Sequence, residues 1–176
     1  FDPLLVRLNP ANGNIIEEIM AIRYTTDGLA FFPAWDEVFL PDIDVVGNDM
    51  NIFDGDGSAS DTDGTDFGVV DISSGTVTHI FTIENAGNSS LTLTGSPVIQ
   101  ISGPQASDFE VVSYPTSKIE VGDTENFSIM FNPTGLGTRA ATISISNNDP
   151  SENPYEFIVR GTGSEEALFV DVPIDH

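Results

Sequence analysis

The chain has no cysteine, which removes thiol nucleophiles and disulfide staples from any account of it. An acidic intracellular protein and an exported one can both lack cysteine, so the compartment is not read from that count. Cations are almost as scarce. Five Lys and Arg stand against 28 Asp and Glu in 176 residues, a net charge of −23. Lys118 stands alone and Arg7, Arg23, Arg139 and Arg160 are scattered. Phosphate backbones and anionic bilayers need clustered basic residues, so nucleic acid and membrane surfaces are excluded as partners. No apolar run approaches the roughly 18 residues that span a bilayer, so no membrane insertion is expected. The chain opens at Phe1 without a signal peptide and reads as a processed chain or an excised fragment.

Catalytic equipment is thin as well. Only His79 and His176 could act as bases near neutral pH. No Gly-x-Ser-x-Gly elbow, phosphate loop or His-x-x-x-His zinc pair occurs. Two carboxylates facing across a cleft would suffice for glycoside hydrolysis, but 28 acids make such pairs by chance. The chain is therefore read as not an enzyme. His79, on an apolar strand, reads as a packed core or interface residue.

What is present is phenylalanine, 12 of them, with 16 Gly and 11 Pro to break the chain into short segments. Val77, His79, Phe81 and Ile83 alternate with Thr78, Ile80 and Thr82. Phe127, Ile129 and Phe131 give the clearest period of two, continued by Ala141, Ile143, Ile145 and by Tyr155, Phe157, Val159. Ile43–Val46, Leu91–Leu93, Val98–Ile101 and Phe109–Val112 complete the set. Asn85-Ala86-Gly87-Asn88, Gly103-Pro104, Gly122-Asp123, Asn132-Pro133 and Asn147-Asn148-Asp149-Pro150 separate them. Seven or eight short alternating strands predict an all-β fold, an immunoglobulin-like antiparallel β-sandwich over residues 42–163. Phe81, Phe127, Phe131, Ile143 and Phe157 are expected in one core.

This stretch resembles the bacterial choice-of-anchor D module, a relative of the abnormal-spindle/hydin (ASH) immunoglobulin-like domains. The resemblance rests on Pro41–Val45, Asp63–Gly68, Phe81–Asn85, Leu91–Gly95, Phe131-Asn132-Pro133, Ser146–Pro150 with Asn153-Pro154-Tyr155, and Arg160–Gly163. It implies a seven-stranded sandwich used as a repeat or spacer in exported bacterial proteins, at the cell surface or outside the cell, and no reaction. Within it Phe67 is expected to plug the core.

Residues 1–41 read as extra N-terminal β-hairpin segments. Leu5–Asn9 and Ile15–Ile19 flank an Asn12-Gly13 turn, and Asp27–Phe31 and Glu37–Leu40 form a second pair. The pattern resembles one blade of a secreted β-propeller, too little to close a propeller alone. Trp35, Phe31, Phe32 and Phe39 form an aromatic cluster there, open to core packing, a sugar-stacking face or a subunit interface. Residues 164–176 alternate as a strand or linker toward a missing domain or partner. Phe169–His176 resembles the opening of an S-layer homology domain.

The acidic loop Asp54–Asp66 is the one site-like feature. Asp54, Asp56 and Ser58, with Asp61 or Asp63, could supply oxygens for Ca²⁺, although Thr65 stands where an EF-type loop needs Glu. The same residues also read as solvated Asp-Gly turns. Asn88-Ser89-Ser90 and Asn126-Phe127-Ser128 match the glycosylation sequon and read as incidental. Two functions are carried forward. The first is a structural or assembly module of an exported protein, with protein partners: neighbouring domains, or itself as a homo-oligomer or filament through residues 4–8 and 167–174. The alternative is a carbohydrate- or adhesion-ligand-binding module, Ca²⁺-assisted.

Overall fold

The computed structural model describes residues 4–8, 15–21 and 38–165, and the chain divides into two compact units, Phe1–Val38 and Phe39–His176. In the first unit, β1 (Leu4–Leu8) and β2 (Ile15–Ala21) pair antiparallel, as the flanks of the Asn12-Gly13 turn predict. Of the second hairpin expected there, residues 38–40 are described and form no strand, with Phe39 exposed, while its other residues, Trp35, Phe31 and Phe32, and the tail beyond Glu165 lie outside the described residues.

The second unit is the sandwich. One sheet runs β4 (Met50–Ile52), β3 (Ile43–Gly47), β6 (Val77–Asn85), β11 (Thr124–Phe131), β9 (Phe109–Ser113). The other runs β5 (Asp66–Asp71), β13 (Tyr155–Ser164), β12 (Gly137–Ile145), β8 (Gln100–Ser102). A two-residue pairing of β7 (Leu91–Thr92) with β10 (Lys118–Ile119) lies beside them. Among the described residues the only helical element is one 3₁₀ turn, Ala106–Asp108.

Alternation does the sorting, because successive strand side chains point to opposite faces. Along β11 Phe127, Ile129 and Phe131 are fully buried, and Phe81 of the same sheet and Ile143 and Phe157 of the other share the same core. Phe81 stacks on Phe127 with centroids 5.4 Å apart, and Phe109 on Phe131 at 4.8 Å. Both separations fall in the range that aromatic pairs prefer. Gly161 leaves room for Phe131, since a Cβ there would lie 2.3 Å from the ring.

One pairing departs from the antiparallel expectation. β5 runs parallel to β13, with Arg160 opposite Asp66 and Thr162 opposite Val69. The reason is topological. The chain leaves the first sheet after β4, crosses to the second through the acidic loop, and returns along its open side. A parallel pair needs such a crossover and cannot be closed by a tight turn.

The edge strands of the two sandwich sheets are short or irregular. β4 and β8 are three residues long. Val112 is an extra residue in β9, between partners Val111 and Ser113, and β5 carries its irregularity at Gly68, where φ is +71°. Short and bulged edges resist pairing with foreign strands.

Candidate functional site

The acidic loop follows β13 as an irregular continuation of β5. Gly55 N–H donates to the Glu156 carbonyl (2.7 Å), Ile158 N–H to the Asp56 carbonyl (3.0 Å), and Arg160 N–H to the Thr65 carbonyl (2.9 Å). The carboxylates then tie the backbone. Asp54 Oδ1 accepts Glu156 N–H at 2.7 Å, and Asp56 Oδ1 accepts Ser58 N–H at 2.8 Å. Asp63, buried, accepts both the N–H (2.9 Å) and the hydroxyl (2.6 Å) of Thr65. Asp61 enters only through its carbonyl, which accepts from Asn48 Nδ2 at 3.3 Å. Asp and Asn side chains bonding to backbone two residues on are the usual way short loops satisfy N–H groups. Among the described residues no three carboxylates of Asp54, Asp56, Asp61 and Asp63 converge on one point.

Three other carboxylates do converge. Asp42, Asp149 and Glu152 each place an oxygen within 4.8 Å of the others. Asp42 precedes β3, while Asp149 and Glu152 sit in the turn between β12 and β13. Asp149 is fully buried and its three bonds build that corner. Oδ2 accepts Ile43 N–H at 3.2 Å, and Oδ1 accepts the N–H (2.8 Å) and hydroxyl (2.7 Å) of Ser151. Burial, then the charges of Asp149, Asp42, Asp54 and Asp44, push Glu152 up to about 7. Burial, then Asp44 and Asp149, raise Asp42; burial and Glu84 raise Asp44. Of the three, Glu152 and Asp42 thus hold a proton more readily than an ordinary carboxylate. Nothing in the sequence announces it, because residues 42 and 149 meet only once β3 lies beside the β12–β13 turn.

The sandwich's three Lys and Arg side chains, Lys118, Arg139 and Arg160, are each paired with a carboxylate. Arg139 bonds the fully buried carboxylate of Asp108, which also accepts the N–H (3.1 Å) and hydroxyl (2.6 Å) of Thr134. Burial raises the Asp108 carboxyl, but the Thr134 and Arg139 donors outweigh it and hold it below its ordinary range. Arg160 holds Asp66 at 2.5 Å across the parallel pair, and Lys118 bonds Glu120 at 2.6 Å. His79 packs, as its strand position implies. Its ring stacks on Phe67 and its Nδ1 meets the Gly64 carbonyl.

Residues 60–162 of this chain, which hold most of these elements, match a family model described as HYDIN/CFA65/VesB-like, Ig-like domain. The chain belongs to this family. No curated protein matches it. Among solved structures it is similar to a Porphyromonas gingivalis W83 protein of unknown function. That pair shares 20% identity over 74% of this chain and 50% of the other, with a TM-score of 0.49. It is also similar to the secreted serine protease VesC of Vibrio cholerae (18% identity, 56% and 21% covered, TM-score 0.44). The ASH/PapD-like domain 7 of human CEP192 is a third (13% identity, 81% and 98% covered, TM-score 0.42). The chain thus spans half the length of the first of these and about a fifth of the second. No helix among the described residues is long and apolar enough to cross a membrane.

Proposed function

We propose that this chain is a non-catalytic structural module, of the choice-of-anchor D kind, in an exported protein at the cell surface or outside the cell. The observation that carries the reading is the use made of its polar side chains. Asp54, Asp56, Asp63, Asp108 and Asp149 fasten backbone N–H groups, and Arg139 and Arg160 are tied to carboxylates. Groups spent on fastening are not poised for proton transfer or nucleophilic attack. Residues 42–163 are the module, with 1–41 and 164–176 leading to neighbours.

Assembly, in this proposal, runs through the segments at either end, because the sandwich's own edges are blunted. Residues 4–8 and 167–174 would add to a neighbouring sheet, in the parent chain or in another copy, and a head-to-tail contact of that kind extends into a filament. Calcium in the acidic loop would draw on the second oxygens of Asp54 and Asp56, since one oxygen of each already accepts an N–H. Deleting residues 165–176 and measuring mass by light scattering tests assembly. The proposal expects the intact chain to form larger species and the truncated one to be monomeric. Two monomers at high concentration would reject self-assembly and leave a spacer.

A further inference from the structure

The solvent face of an antiparallel sheet is expected to be polar, with the core side holding the apolar residues. The five-stranded sheet breaks that rule at its centre. Ile80 lies on β6, the third of its five strands, and is 62% exposed. Its cross-strand partner is Ser128, and Met130 lies diagonally beyond, opposite Thr78. Val46, opposite Thr82, extends the same face on β3. The extra residue Val112, 47% exposed, interrupts β9 at the other side.

The rim of this face has one sign. Asp44 and Glu84 sit opposite each other at one end, and Glu110 faces Met130 at the other. No Lys or Arg occurs on any of the five strands, and the sandwich's three cations lie elsewhere with carboxylates bound. We propose that this face docks a protein segment with an apolar centre and a cationic rim. Charge selects that occupant. A second copy would set Asp44, Glu84 and Glu110 against their own kind, on chains that each carry a net −23. A segment with flanking Lys or Arg would meet the rim with opposite charge while burying Ile80 at the centre, where binding energy concentrates. Five strands at about 4.8 Å spacing give a face roughly 20 Å across, the size of a transient interface. The proposal adds to the module reading and does not depend on assembly through the chain ends.

The test uses the full chain and two fluorescent peptides of equal length, one alternating Val and Lys, the other polylysine, at physiological salt. Binding is measured to the unaltered chain, to Ile80→Asp, and to Val69→Asp, a control at an exposed position on the other sheet. Ile80→Asp adds a negative charge, so diffuse attraction predicts equal or tighter binding. Docking predicts that the Val/Lys peptide binds Ile80→Asp about tenfold more weakly, with Val69→Asp and polylysine unaffected. Equal or tighter binding of the Val/Lys peptide to Ile80→Asp overturns the proposal. So does an Ile80-dependent dimer of the chain in light scattering, which would make the occupant a second copy. Both positions are exposed, and matching thermal transitions confirm that the variants fold.

Discussion

The imidazole of His79 lies on the phenyl ring of Phe67, centroids 4.3 Å apart and planes 14° from parallel, while its Nδ1 meets the Gly64 carbonyl at 2.6 Å. One side chain of β6 thus holds both the end of the acidic loop and the first core residue of β5. With Nδ1–H donating to the carbonyl, the ring is held by a hydrogen bond and by stacking at once. Phe67→Ala should cost about 3–5 kcal/mol, because the ring is buried against Phe109 and Phe131 as well. His79→Phe should keep the stack and lose only the carbonyl bond, about 1 kcal/mol. Chemical denaturation of both variants measures the difference, and equal losses would contradict the predicted ranking of ring packing above the carbonyl bond.

Gly161 should refuse a methyl group. A Cβ at that position meets Phe131 at 2.3 Å in a core without slack, and overpacking of this kind costs about 1–3 kcal/mol. Phe131→Leu should cost stability alone but accept Gly161→Ala more readily, so the double variant should be less destabilised than the two losses added. The coupling expected is about 1 kcal/mol. Additive losses would mean that the backbone shifts instead of the ring.

Stability should fall as pH rises through neutrality. Glu152 has its folded value near 7, above its ordinary 4.5, so the folded state holds a proton that the unfolded state releases. Its favourable contribution is complete below about 4.5 and is lost as pH passes 7. At a partly exposed group solvent screening reduces the effect to about 1 kcal/mol. Glu152→Gln should flatten the melting temperature between pH 5 and 8 relative to the unaltered chain. An unchanged slope would place the proton elsewhere.

Salt should stabilise the fold. A net −23 opposes compaction, and ions at 0.1 M screen charges beyond about 10 Å. Melting temperature is expected to rise by several degrees from low to molar NaCl, and equally in KCl. A fall would mean that the ion pairs of Arg139 and Arg160 outweigh the repulsion.

The strand stripes and the core were legible because burial writes itself into a period of two: Phe81, Phe127, Phe131, Ile143 and Phe157 are all at the centre. β4 and β5 were not. Met50-Asn51-Ile52 is too short to show a period, and Gly68 interrupts the alternation from Phe67 to Val70 with its bulge. The parallel pairing had no local signature, since Asp66 and Arg160 are 94 positions apart. The acidic loop was legible as oxygen-rich. Its use was not, because an Asp that ties a neighbouring N–H and an Asp that awaits a metal have the same sequence. Asp42, Asp149 and Glu152 were hidden for a related reason: their crowding comes from how β3 and the β12–β13 turn pack, not from spacing.

Amide hydrogen exchange in the presence of a chelator tests most directly whether the acidic loop is a structural fastener. The bonds from Gly55, Glu156, Ile158 and Arg160 join it to β13 through protein atoms alone. The account predicts that these four amides exchange slowly in chelator, with protection comparable to the β12–β13 ladder beside them. Rapid exchange in chelator, slowed only on adding Ca²⁺, would contradict it and make the loop a metal site first.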